Sequence, residues 1–356
     1  MKTYLHFLAK IICIFLLMLI TINSIGQNKS NIDTFRVMLK KYDELKKEPA
    51  NKVNFSLDSM KVEILNAMSY EYANINTDSA LLYANKALKF SEKIHSKKGM
   101  ADAYYYTAVV FTELGKYDKA LKYHKKSLKV HLRINDMKGC SMSYTSMGII
   151  YDLQGSYSKA IKYYTMALKF SLLLKDDKGI AADYGNIGVV YMNEKKYDSA
   201  LSNFFTSLKI EEEINNVSGI AQTLNNVGMI YHKQGKYPEA LESLNLSLQK
   251  KEEIGDKRGI SYSYNNIGDV YCAQGNCQKA LDNCLLSIKM KEDLGDKYGI
   301  AYSYNSIGLI YKSFNKYQEA MEYAQKGLAL AHAIGAKDLE QELLKHIEEL
   351  KTLMKK

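Results

Sequence analysis

Along most of the chain, apolar residues recur three and four positions apart in blocks separated by short polar breaks, the signature of amphipathic helices. Between Gly219 and Gly259, Leu224, Val227, Gly228 and Tyr231 stand at i, i+3, i+4 and i+7. That spacing predicts a helix over roughly 220–234 with one stripe turned to a neighbour. After a Gly-Lys break a second helix is predicted over about 238–253. It opens on Pro238, tolerated where the missing N–H has no intrahelical partner, and buries Ala240, Leu241, Leu244 and Leu248. The unit is a helical hairpin. Only Pro49 and Pro238 occur in the chain and runs of β-branched residues are scarce, so the class is all-α.

The hairpin repeats every 40 residues. Glycine returns at Gly99, Gly139, Gly179, Gly219, Gly259 and Gly299, read as closing the loops between units, and in a second phase at Gly115, Gly155, Gly235 and Gly275. A third phase holds Gly148, Gly188, Gly228, Gly268 and Gly308, and a fourth holds Ala80, Ala120, Ala160, Ala200, Ala240, Ala280 and Ala320. The last two phases place the smallest residues where the two helices of a hairpin cross. Glycine inside a helix costs about 0.5–1 kcal/mol against alanine, so its return at one phase implies a packing gain that exceeds this. One hairpin cannot bury its outer face alone, and stacking of units completes the core.

Tyr144, Met147-Gly148, Tyr151, Gly155, Tyr157, Ala160, Tyr164 and Ala167 resemble the tetratricopeptide signature, with tyrosine for its leading tryptophan, and the match recurs at Tyr184, Ile187-Gly188, Tyr191, Tyr197, Ala200 and Phe204 and at Tyr304, Ile307-Gly308, Tyr311, Tyr317 and Ala320. The resemblance implies a right-handed superhelical solenoid of antiparallel helix pairs with a concave peptide-binding groove. The period of 40 departs from the usual 34, with the extra residues assigned to helix B and its loop. Together with Leu224-Asn225-Asn226-Val227 and Tyr264-Asn265-Asn266-Ile267, it is similar to the kinesin light chain-like subclass. Six clear units span 99–338, and the alanine phase adds a degenerate one over 59–98.

The ends differ from the repeats. Lys2 and Lys10 flank the start of an apolar run, Ile11 to Ile22, that is too short to span a bilayer; Ser24 and Gly26 are small residues placed for cleavage before Gln27. Residues 1–26 are therefore expected to be a signal peptide and the chain to be exported, of an exported bacterial type, periplasmic or secreted, touching a membrane only through this segment if it is uncleaved. Residues 27–58 are expected as a helix plus linker, and 339–356 as a charged capping helix.

Charge is +10, from 49 basic against 39 acidic residues, yet only Arg36, Arg133 and Arg258 are arginine. Lysine spread along helix surfaces reads as a solvated face, not as nucleic-acid recognition. No G-x-S-x-G, H-E-x-x-H or P-loop is present, and His124, His131 and His232 stand alone on helices, so no catalytic role, cofactor or metal is expected. Cys272, Cys277 and Cys284 fall in one unit without a histidine at zinc spacing; a Cys272–Cys277 bridge across the turn is left open.

In the register of the resemblance the groove positions include Gln222, Asn225, Met229 and His232, then Tyr262, Asn265, Asp269 and Cys272, then Tyr302, Asn305, Leu309 and Lys312. Asn225, Asn265 and Asn305 would form an exposed ladder of amides able to bond the backbone of an extended peptide, and their replacement by alanine is expected to spare stability. Tyr262 and Tyr302 would be aromatic anchors. The expected function is a non-catalytic scaffold for a protein or extended peptide. The alternative is the sensor portion of a signalling system whose histidine-kinase, cyclase or DNA-binding output is missing or lies on another chain, which neighbouring genes would reveal.

Overall fold

The computed structural model describes residues 28–48, 55–73 and 75–355. The expected signal segment, its cleavage point at Gly26, and Pro49 lie outside the described residues. The described chain is helical, with α1 (Asn28–Leu45), α2 (Phe55–Tyr72), α3 (Thr77–Lys93), α4 (Lys97–Glu113), α5 (Tyr117–Arg133), α6 (Met137–Leu153), α7 (Tyr157–Leu174), α8 (Asp177–Asn193), α9 (Tyr197–Glu213), α10 (Val217–Lys233), α11 (Tyr237–Glu253), α12 (Lys257–Ala273), α13 (Cys277–Asp293), α14 (Lys297–Ser313), α15 (Tyr317–Ala333) and α16 (Lys337–Leu353). No strand occurs among the described residues. Within each compact unit consecutive helices pack pairwise, an all-α solenoid arrangement. The chain divides into two compact units at Lys175/Asp176, so that α1–α7 form the first and α8–α16 the second.

From α2 to α15 the even helices are the A helices of hairpins and the odd ones the B helices. The period of 40 is two helices of 17 residues and two short turns, as in α10 and α11. The expectation that helix B takes up the extra length is therefore corrected: A and B are equal. Helix α2 also begins at Phe55, inside the stretch expected as linker.

A left-handed residue stands at every twentieth position from His95 to Gly335: Gly115, Gly155, Gly235, Gly255, Gly275, Gly295 and Gly335 fill seven of these places, and His95, Asn135, Lys175, Lys195, Asn215 and Asn315 the other six. These residues end one helix, and a cap starts the next. Before the A helices, Ser96, Asp136, Asp176, Asn216, Asp256 and Asp296 accept from the backbone N–H three residues on. Residues 255–259, Gly-Asp-Lys-Arg-Gly, thus divide into a left-handed Gly255, a capping Asp256 and a Gly259 already inside α12. This corrects the reading of the Gly259 register as loop glycines. Gly259 is needed for close approach, since a Cβ there would meet Asp256 Oδ2 and lie 3.0 Å from Lys251 Cδ.

The crossing register stands where the small residues place it. A Cβ on Gly228 would lie 2.7 Å from Leu244 Cγ and 3.1 Å from the Ala240 carbonyl oxygen, and Ala80 through Ala320 of the alanine phase are fully buried. In the first unit, α1 adds Ile32, Phe35, Met38 and Tyr42 to a core with Leu57, Ile64 and Met68 of α2. In the second, Leu339, Leu343, Ile347 and Leu350 of α16 close the end of the core over Ala320 and Ala324.

Candidate functional site

In the second unit successive A helices are joined by polar side chains about one repeat apart. Asn266 Nδ2 donates to Asn225 Oδ1 at 2.9 Å, Asn265 Nδ2 to Ser306 Oγ at 3.0 Å, and Asn305 Nδ2 to Glu342 Oε1 at 2.8 Å. Ser303 Oγ donates to Asn265 Oδ1, and a ring nitrogen of His346 lies 3.1 Å from Asn305 Oδ1. Asn265 is 0% exposed and Asn305 3%. The expected open ladder is thereby corrected at two of its three rungs: those amides are buried and spent on neighbouring repeats, because A helices pack closely enough for short side chains to span them. Asn225 alone stays half-buried.

Two lysines lie beneath this layer. Lys251 of α11 donates to Ser263 Oγ at 2.8 Å, and Lys291 of α13 donates to Ser303 Oγ at 2.9 Å while its Nζ sits 4.3 Å from the centre of the Tyr262 ring. Burial lowers the affinity of both ammonium groups for their proton; that of Lys291 falls to about 8, with Asp296 the largest opposing influence. Tyr262 is tied at its other end, its hydroxyl donating to Asp296 Oδ2 at 3.0 Å. Asp269 bonds Ser306, and burial raises its carboxyl to about 7. Tyr302 is half-buried and pushed up to about 12 by burial. Lys312 pairs with Glu349 at 2.6 Å. His232 is half-buried, with a lowered pKa caused chiefly by burial.

Of the nine candidate groove residues, the structure brings Gln222 and Asn225 to one open site. They line a cleft of about 220 Å³ with Ser218, Lys251, Ile254 and Asp256. Tyr262, Asn265 and Asp269 belong instead to the polar layer around Lys291 and Ser306, Asn305 is engaged with Glu342 and His346 of α16, Tyr302 packs on the apolar core that α16 closes, and Lys312 stands further along α14. Lys251 escaped sequence reasoning. Its signal was available: residues 91, 131, 171, 211, 251 and 291 are Ser, His, Ser, Glu, Lys and Lys in one phase, and all are buried. In the first unit His131 holds this place, 3.0 Å from Asp136 and 3.7 Å from Asp102, whose carboxyl burial raises to about 6. Cys140, Cys272, Cys277 and Cys284 are free thiols, and Cys272 Sγ lies 3.6 Å from Ser313 Oγ. Among the described residues no His, Cys, Asp and Glu cluster could hold a metal ion, and no helix is long and apolar enough to cross a membrane.

Hairpins of this period, crossing on small residues, define a helical repeat protein. The family model for the tetratricopeptide repeat matches residues 99–171, 180–253 and 259–333, and the chain belongs to that family. No curated protein matches the sequence. Among solved structures, the chain is similar to BtubC (BKLC) from P. vanneervenii, at 18% identity and a TM-score of 0.55 over 62% of this chain and 92% of that one. It is similar to a Rap protein complexed with competence and sporulation factor, at 12% identity and a TM-score of 0.53 over 92% and 99%. It is also similar to a signal transduction ATPase with numerous domains that carries a tetratricopeptide repeat sensor, from Pyrococcus horikoshii, at 17% identity and a TM-score of 0.61 over 92% and 53%. At these identities the likeness is one of fold.

Proposed function

We propose that the chain is a non-catalytic scaffold that holds a protein or extended peptide on the A-helix face of its second unit, at the cleft of Gln222, Asn225 and Lys251. The observation that carries this reading is the convergence there of two amides, the Ser218 hydroxyl and a largely buried ammonium around a recess with apolar walls at Ala221 and Ile254. Amides supply both donors and acceptors for a peptide backbone, and Lys251, steadied by Ser263, has ammonium hydrogens left for an acceptor. The Rap protein in complex with competence and sporulation factor is a similarly folded array with a bound partner, which supports the reading by analogy. Export belongs to the same proposal and rests on the Lys2–Gly26 segment.

A photo-crosslinking residue at Gln222 tests the site. It is expected to trap a partner that the same residue at Gln249, exposed on α11, does not trap. Equal yields at the two positions would remove the cleft from the account. N-terminal sequencing of the chain from fractionated cells tests export, with a start at Gln27 outside the cytoplasm expected.

A further inference from the structure

The first unit carries a second kind of recess, on the side lined by lysines. The outer faces of α3 and α5 present Lys86, Lys89 and Lys93 and, one repeat on, Lys126, Lys129 and Arg133, all exposed. Beside α5, a hollow of about 540 Å³ is walled largely by Lys122, Lys125, Lys126 and Lys129 and has little apolar floor beyond Leu121 and Tyr151. Where α1 packs over α2 and α3 the situation differs. A trough of about 500 Å³ opens there on Leu39, Leu65, Tyr83 and Phe90, with Lys61, Lys86, Lys89 and Lys93 around it.

The trough is apolar below and cationic above. Its one acidic lining residue is Asp43, already engaged with Lys61 at 3.3 Å. Lys61 is also held over the rings of Tyr42 and Phe90, at 4.3 and 5.1 Å from their centres, and Lys86 lies 4.9 Å from that of Tyr83. Lys89 and Lys93 have no carboxylate within ion-pair distance among the described residues. A recess of this volume, apolar with a few converging charges, falls within the usual range of small-molecule sites, about 300–1,000 Å³.

We propose that this trough binds an amphipathic organic anion. The aliphatic or aromatic body lies on Leu39, Leu65, Tyr83 and Phe90, and the carboxylate or phosphate head meets Lys86, Lys89 and Lys93. A cationic amphiphile is repelled by the rim, and an anion without a body gains nothing from the floor.

Titration calorimetry on the purified protein tests this with dodecanoate and dodecyl phosphate below their micelle concentrations, against dodecyltrimethylammonium and acetate. At least one of the two anionic amphiphiles is expected to bind one to one, and which of them binds assigns the head group; the cation and acetate should not bind. The triple variant Lys86→Glu, Lys89→Glu, Lys93→Glu is expected to weaken binding at least about tenfold, since each reversed charge replaces an attraction for the head group with a repulsion. The variant Lys122→Glu, Lys125→Glu, Lys129→Glu makes the same charge change beside the hollow on α5 and should leave the affinity within about twofold, because these charges are distant and screened. Equal losses in the two variants would mean diffuse attraction and overturn the site. Binding of dodecyltrimethylammonium as tight as that of dodecanoate, or no binding of either anion, would overturn it as well. Circular dichroism of each variant confirms that the fold is retained.

Discussion

The B helices of the two units are built on one pattern and carry opposite charge. Helices α3, α5 and α7 hold twelve Lys or Arg against three Asp or Glu, a net of +9, whereas α9, α11, α13 and α15 hold seven against thirteen, a net of −6. A chain total of +10 conceals this contrast. Lysine therefore is not diluted evenly over the surface, as composition suggested, but gathered on the outer helices of the first unit. The packing positions of the repeat cannot vary in this way, because Ala120 and Ala200 alike fill a crossing with no room to spare. Exposed positions meet only water, and the two units are free to differ there.

Buried positions that differ are more consequential. His124 of α5 occupies the register of Tyr164, Phe204 and Leu244, is fully buried, and has no hydrogen-bond partner on either ring nitrogen. Burial lowers its pKa to about 4, against about 6.5 in an unfolded chain. The unfolded state therefore takes up this proton first on acidification, so the group costs stability increasingly as pH falls from 6.5 towards 4. Asp269 in the second unit has the opposite sign: its raised carboxyl binds a proton in the fold first, and this group favours folding more as pH falls from about 7. His124→Leu, which installs the residue of the Leu244 position, is expected to stabilise by about 1–3 kcal/mol at pH 7 by removing unsatisfied buried groups. That gain should grow between pH 6.5 and 4.5. Urea midpoints of both proteins at several pH values check it, and a gain that does not change with pH would put His124 in contact with solvent.

The helix pairs, their period and their crossings were legible because glycine and alanine phases report backbone approach directly. Gly228 and Ala240 needed no structure to be paired. The site was less legible, since exposure depends on the distance between neighbouring A helices, which one repeat does not encode. Asn225, Asn265 and Asn305 look identical in sequence, yet serines at 303 and 306 draw Asn265 into the core, whereas Asn225 meets only Asn266 at a half-buried edge. Lys251 was hidden for the converse reason: a lysine near the end of a charged helix looks exposed until Gly259 is seen to leave space for its stem.

The rungs are therefore expected to respond unequally. Asn265→Ala takes one donor from the Ser306 hydroxyl, which keeps its bond to Asp269, and removes the acceptor of the buried Ser303 hydroxyl, and should destabilise by about 1–3 kcal/mol, the usual cost of a buried group left unpaired. Asn225→Ala should cost about 0.5 kcal/mol or less, as alanine's helix preference offsets one partly exposed bond. Denaturant titration of the two single variants decides the matter, and equal losses would return Asn265 to the surface.

The smallest effect concerns the turns, where the units again differ. The A-to-B turns after α4 and α6 in the first unit use Gly115 and Gly155 at the left-handed position, while those of the second unit use Lys195 at φ 60°, Gly235, Gly275 and Asn315. A lysine Cβ crowds the following carbonyl in this conformation, costing about 1 kcal/mol that glycine avoids. Glycine gives back part of the difference by gaining more freedom in the unfolded chain. Lys195→Gly is accordingly expected to stabilise by about 0.5 kcal/mol, and Gly155→Lys to destabilise by about the same amount. A Cβ at Gly155 would meet nothing within 4 Å, so the reciprocal exchange isolates backbone conformation from packing. If thermal midpoints move in opposite directions for the two variants, backbone strain at Lys195 is a local cost of the second unit. If Gly155→Lys is neutral, the turn itself can relax around a side chain, and the recurrence of glycine at this phase needs another cause.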